Sequence, residues 1–426
     1  MYKHTAKTLG AAALASALAL TVGCSSGTPG ASGGDDQIEI TQWYHEYGAP
    51  GAKEAVQKFA ADYTKENPKV KVKVVWVPGD YPAKLNSALL SGTGPDVFES
   101  SPVGERIFAG QVAPLDDIYG DAKSDFLPNS ISSMTVDGHI YAVPMTDGTG
   151  MLYYRKSVLK DAGIEPPATM DELISAAKKL TTGGKKGLFI GNDGCTSGQL
   201  PKIAIWSSGQ EIIKDGSVVF DNDRAAKAYE KMAELCNSDS LLLGAPADWY
   251  DSSSFIDGLV PMQWGGQWTL DEVEENLGDD FGVVPWPALD AQGTPATWYG
   301  GWHQQVSSKS KNIQAAKDFV QWLWIKNTDA QKKWATDFGS TAPVRESIVA
   351  EIPALTKSPG KDFMDAIKNY GHLESGVYWS TATETALGDA LNNVVKNGAD
   401  ARAEISKAAA KATSEVERIK ADSKLK

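Results

Sequence analysis

The chain has 426 residues, 42% hydrophobic and 22% charged, a globular balance that excludes a disordered polymer or a collagen-like fibre. At about 100–200 residues per domain, that length provides for two or three domains with real cores. Its formal charge of −13, which becomes −15 if residues 1–23 leave with Lys3 and Lys7, argues against nucleic acid as a partner, since a phosphate backbone needs clustered Lys and Arg.

Residues 1–23 read as an export signal, with Lys3, His4 and Lys7 ahead of the apolar run Leu9 to Val22. That run of about 14 residues is shorter than the ~20 needed to span a bilayer as a helix. It leads through Thr21-Val22-Gly23 into Cys24, a pattern similar to the bacterial lipobox, with the usual Leu one place early at Leu20. Cys24 is therefore the expected lipidation site and residues 24–37, rich in Gly and Ser, the expected flexible tether. The protein is expected outside the cytoplasm, on the outer face of the cell membrane. Cys195 and Cys236 then remain as an even pair outside the reducing cytosol, consistent with a disulfide or with two buried thiols. No Cys or His falls at zinc-site spacing, so no metal or cofactor is expected.

From Ile38 onward strand and helix patterns alternate. Ile38 to Trp43 alternates apolar and polar, and Val56, Phe59, Ala60 and Tyr63 then share one helical face that Pro68 stops. Val70, Val72, Val74 and Trp76 alternate again, a helix carries Leu85, Ala88 and Leu89, and Asp96 to Glu99 is a short strand after the Gly92 to Pro95 turn. Strands joined by single helices imply parallel βαβ units, hence an open α/β sheet. His139 to Pro144 and Met151 to Tyr154 are further strands, separated by Gly148 and Gly150. After Pro166-Pro167 the helix Asp171 to Leu180 opens a second α/β stretch. Trp298 to Trp302 suggests a second crossing between the halves and Ser340-Thr341-Ala342-Pro343 a third, with helices from Asn312 to Phe338 between them. A final helix from Ala399 to Ile419 carries an apolar stripe.

Catalytic motifs are absent. No Gly-rich phosphate loop, G-x-S-x-G elbow or S-x-x-K set stands in a matching context, and Gly183-Gly184-Lys185-Lys186 reads as a turn. Tryptophan is the informative residue, because nine of the 13 lie between Trp249 and Trp334. A sugar ring presents an apolar face rimmed by hydroxyls, which suits a flat indole platform edged with amides, carboxylates or guanidinium groups. Trp43 is followed by Tyr44, His45 and Glu46; Trp264 and Trp268 flank Gln267; and Trp302 precedes His303, Gln304 and Gln305. Trp249, Trp298 and Trp379 also fall at loop or strand ends, whereas Trp76, Trp322, Trp324 and Trp334 read as core.

The order of these pieces resembles the extracellular solute-binding lipoproteins of ABC importers, the large sugar-binding family typified by maltose-binding protein. The matching stretches are Ile40 to Trp43, Gly94 to Phe98, Tyr141 to Pro144 with Leu152 to Lys156, Ala162 to Pro167, Gly266-Gln267-Trp268, Gly282 to Pro287, and Gly300-Gly301 before Ser307 to Asn312. The resemblance implies a two-lobed α/β periplasmic-binding-protein-like fold: two open sheets, a hinge crossed about three times, and a ligand between the lobes. It implies lobe 1 at 38–146 and 301–342 and lobe 2 at 147–300 and 343–426. It also carries ligand roles onto Trp43, Tyr44, His45 and Glu46, onto Glu99 and Ser100, and onto Asp147, Trp268, Gly300, Gly301, Trp302, Arg345 and Trp379, beside Trp249, Trp264 and Gln267 from the platform argument. The expected partners are an oligosaccharide and a membrane permease, the protein acting as a monomer and not as an enzyme. A secreted glycoside hydrolase or lyase, and a binder of another solute such as a polyamine, are the alternatives that these residues leave open.

Overall fold

The alternating run at the start is a strand, Ile38–His45, that buries Ile40, Gln42 and Tyr44 on one face. A computed structural model describes residues 37–46, 51–101, 104–196, 199–338 and 342–423. The expected signal, the tether up to residue 36 with Cys24, and Ser340-Thr341 lie outside the described residues.

Lobe 1 is built on a five-stranded sheet in the order 70–77, 38–45, 97–100, 303–306, 143–144. The first three strands are parallel, as the βαβ pattern requires, with Ile38 opposite Val70 and Gln42 opposite Val97. The helix Ala52–Glu66 crosses over and buries Val56, Phe59, Ala60 and Tyr63, the face expected from their spacing. The next, Tyr81–Ser91, starts where the Asp80 carboxylate accepts from the Ala83 amide at 3.1 Å. The sheet is nevertheless mixed rather than parallel. Strand His303–Val306 enters from the other lobe and pairs antiparallel with both Val97–Ser100 and Val143–Pro144.

Lobe 2 has the sheet order 262–266, 150–155, 281–284, antiparallel throughout, extended by Phe189 lying parallel beside Gln263. Helix Met170–Leu180 begins with a capping box between Thr169 and Glu172. Helices Asp223–Cys236, Thr381–Asn397 and Ala401–Ala421 pack together on this lobe, their apolar faces joined in one cluster with Trp264, Trp286 and Leu391. Cys195 and Cys236 are joined in a disulfide, with Cα atoms 6.1 Å apart.

Three chain segments cross between the lobes side by side. Thr146 and Asp147 pair with Pro343 and Ala342, Gly148 bridges Gly300, and the Met145 amide donates to the Trp302 carbonyl. Gly301 lies so close beneath the Thr146 carbonyl that a Cβ there would overlap it. Beyond the third crossing the chain stays on lobe 1 for a few residues more, since Val344 packs in the cluster of Val97, Phe126 and Trp324.

Candidate functional site

In open α/β sheets the carboxyl ends of the strands border the crevice where ligands sit. Here those ends are His45 and the Glu99–Ser101 segment, and Trp302 stands beside them at the second crossing. The His45 amide and its Nδ1 lie 2.6 and 2.5 Å from Glu99 Oε1. Its ring stacks on Trp302, centroids 4.1 Å apart and planes 23° apart. Tyr81 meets Trp302 edge-on, and its hydroxyl donates to the Glu99 carbonyl at 2.7 Å. Trp43 and Trp302 are half-buried at the rim of a cluster that also takes in Val377, Tyr378 and Ile419 from lobe 2. Glu46 is exposed at the strand end. Ser100 is buried, its hydroxyl donating to Gln305 Oε1 at 2.5 Å.

A second group of rings lies in lobe 2. Trp268 follows the strand Met262–Gly266 in a short turn, half-buried, with its N–H on the Tyr250 carbonyl at 2.9 Å. Trp249 meets it edge-on at 5.7 Å and Trp298 lies 6.3 Å away. Trp298 and Trp302 sit two and one residues either side of Gly300-Gly301, so one crossing segment supplies a ring to each group. Gln267, directly before Trp268, is fully buried, and neither its carboxamide oxygen nor its nitrogen has a protein partner among the described residues. The indole N–H of Trp298 is likewise buried and unpartnered. Such groups are costly to bury unless a hydroxyl or water meets them.

Several expected site residues are elsewhere. Tyr44 has 0% exposure in the lobe 1 core, beside Trp76 and Trp334, and its hydroxyl accepts from Gln42. Strand parity puts it on the face opposite Trp43 and His45. Trp264 has 0% exposure in the lobe 2 core, edge-on to Trp286. Arg345 is a brace at the third crossing: its Nε donates to Asp125 at 2.7 Å, its Nη1 to the Ile325 carbonyl, and its guanidinium lies over Phe126. Trp379 is buried in lobe 2, with Lys202 Nζ over its ring and its N–H on Glu384. Asp147 is buried in the hinge under the Ser130 hydroxyl, and burial raises its carboxyl to about 6.

Sequence reasoning missed three residues at this junction. Tyr81 follows the carboxyl end of strand Val70–Val77, a position that could have been marked on that ground alone. Glu374 packs against Gly300, and Gln199 donates to its Oε1 at 2.5 Å; no motif announces either. Burial raises the carboxyl of Glu374 above the ordinary glutamate range, partly offset by Lys202 nearby.

Residues 49–324 match the family of bacterial extracellular solute-binding proteins. The lactose-binding protein of Rhizobium radiobacter is 28% identical over 324 residues, 71% of this chain and 74% of that one. The galactooligosaccharide-binding protein of Bacillus subtilis is 24% identical over 391 residues, covering 89% of each. Among solved structures, the GacH receptor of Streptomyces glaucescens superposes with a TM-score of 0.73 at 27% identity, over 91% of this chain and all of that one. The architecture, its three crossings and these relatives agree: the chain belongs to the family of bacterial extracellular solute-binding proteins, which capture solutes for ABC importers and work outside the cytoplasm.

Proposed function

We propose that this protein captures an oligosaccharide in the crevice between its lobes and hands it to a membrane permease. The observation that carries the reading is the pair of ring clusters rooted on one crossing segment, His45 and Tyr81 with Trp302 in lobe 1, and Trp249 and Trp268 with Trp298 in lobe 2. The half-buried rings, His45 and Trp302 in lobe 1 and Trp249 and Trp268 in lobe 2, can take the apolar faces of successive sugar units, backed by the buried Tyr81 and Trp298, while the unpartnered Gln267 amide and Trp298 N–H take hydroxyls. A solute that touches both walls stabilises their approach by its differential affinity, and a permease can read the resulting shape. The relatives named for lactose, galactooligosaccharide and, in Pyrococcus abyssi, maltotriose support a neutral saccharide of two or more units.

Of the carboxylates a polyamine would use, Glu99 is engaged by His45 and Asp147 by Ser130, which leaves Glu46, exposed at the strand end, for a cation. The lipobox-like run into Cys24 supports a diacylglycerol anchor there, with the residues up to 37 as a leash that keeps a monomeric binder beside its permease. The test is a melting-temperature screen against di- and trisaccharides and spermidine, followed by calorimetric titration of any hit at low and high salt. A saccharide is expected to raise the melting temperature by mass action with salt-independent affinity. A shift from spermidine alone, weakening with salt, would overturn the assignment.

A further inference from the structure

The lobes touch again along a seam formed by residues 373–379 and the end of helix Ala401–Ala421 on one side, and by helix Gly104–Phe108 on the other. Ser101 Oγ lies 3.4 Å from Ser375 Oγ. Phe108 stacks on Tyr378, centroids 5.3 Å apart. Arg418 pairs with Glu105, and Ile419 packs with Ile107 and Phe108. At the centre of this seam Gly104 lies directly on the backbone of Val377: a Cβ at Gly104 would overlap the Val377 carbonyl oxygen and carbon.

That glycine is not required by its own conformation. Its φ is outside the left-handed region, so an L-residue fits the local backbone, and a helix start readily takes Ala or Ser. What excludes a side chain is the opposite lobe. The obstructing atoms are main-chain atoms, which have no rotamer to turn away, so a methyl group there must displace a helix, displace the 373–379 segment, or hold the lobes apart. The first two options disturb packed apolar contacts on their own lobes, Ile107 and Phe108 with Leu85 and Leu89 on one side, Leu373 with Tyr299 and Trp379 in the lobe 2 core on the other. Opening along the hinge breaks the seam contacts and leaves those packed cores intact.

We propose that the bare backbone at Gly104 is the stop that sets how far the two lobes close, making it a positioning residue for solute capture although it belongs to neither ring cluster. A side chain at this position keeps each lobe folded but leaves the crevice ajar, so that a solute bound to one wall cannot reach the other. The affinity loss then falls on ligands long enough to bridge both walls.

The seam can be tested without any solute. In full-length protein carrying Ser101→Cys and Ser375→Cys, oxidised glutathione should convert the two thiols to a disulfide whenever the seam forms, read by peptide mapping against Cys24 and the Cys195–Cys236 pair. Adding Gly104→Ala should slow this cross-link at least tenfold while the reduced protein melts as its parent does. Gly104→Ser provides a second Cβ if the alanine variant folds poorly, and Gly388→Ala, in open space, should leave the rate unchanged. Equal rates with and without the Gly104 change, or no cross-link in the parent, would overturn the proposal. The assay contains no saccharide, so a wrong solute class leaves it standing, and a wrong stop leaves the saccharide screen standing.

Discussion

The imidazole of His45 lies nearly flat on the indole of Trp302, so the end of the first strand and the second hinge crossing form one continuous wall. Glu99 fixes the other side of the imidazole through Nδ1 and through the His45 amide. The ring is thereby held in place before any solute arrives, which reduces the ordering a ligand must impose. Trp302→Ala is expected to weaken the saccharide found by the screen about ten- to a hundredfold, in the range of ~1–3 kcal/mol for a lost stacking platform. Trp302→Phe should recover most of that. Titration calorimetry at fixed pH reads both, and an affinity unchanged by Trp302→Ala would remove this wall from the site.

Two tryptophans four positions apart should fail in different ways. Trp264 is sealed in the lobe 2 core on Trp286, so Trp264→Ala is expected to destabilise by about 3–5 kcal/mol, as large-to-small core changes do. Trp268 is half-buried, and Trp268→Ala should lower the apo melting temperature far less while removing most of the ligand-induced shift. Denaturant titration and thermal shift separate the two; a Trp264 variant that loses binding at full stability would contradict the placement.

This contrast also shows where the sequence was legible. Helix faces such as Val56, Phe59, Ala60 and Tyr63 follow from a single period, and the structure buries that set. Strand parity is equally legible: Ile40, Gln42 and Tyr44 alternate with Trp43 and His45, which separates the buried face from the half-buried one. Treating Tyr44 as part of a continuous ligand loop ignored that alternation. Trp264 and Trp268 share parity, but the strand ends at Gly266 and a turn re-aims Trp268, a reset that local pattern does not encode. Strand direction in lobe 1 depends on a segment returning from the other lobe, some two hundred residues away; Arg345 reaches Asp125 over a similar separation, and Glu374 meets Gly300 from 74 positions on. Those contacts are set by tertiary docking rather than by any run of neighbouring residues.

Two buried hinge groups titrate with opposite sign. Burial raises Asp147 from 3.8 to about 6, so the folded state holds a proton that the unfolded chain has already lost. Its contribution is fully present below the unfolded value and is lost as pH rises through 6, by on the order of 3 kcal/mol. Burial lowers His303 from 6.5 to about 4, so its contribution is present above 6.5 and is lost as pH falls through 4. Stability differences from the parent isolate each arm: Asp147→Asn should gain stability relative to the parent as pH rises from 4 to 7, and His303→Gln as it falls from 7 to 4. Denaturant titrations across that range test both, and parallel curves for variant and parent would show that neither group is held as burial demands.

The Cys195–Cys236 bond ties a fully buried residue near the start of lobe 2's helical layer to the last residue of helix Asp223–Cys236. With its ends 41 positions apart, loop closure in the unfolded chain is worth about 4 kcal/mol in the chain-entropy account. The helix it secures packs against Leu200–Ser207, Thr381–Asn397 and Ala401–Ala421, so its loosening is transmitted to the whole layer rather than to one loop. Neither cysteine belongs to the ring clusters or the hinge. Replacing both with serine is therefore expected to lower the melting temperature and the denaturant midpoint, while affinity for the identified saccharide, measured well below the melting range, stays at the parent value. A large affinity loss in a variant that is still fully folded would mean that the bond positions the crevice rather than the layer behind it.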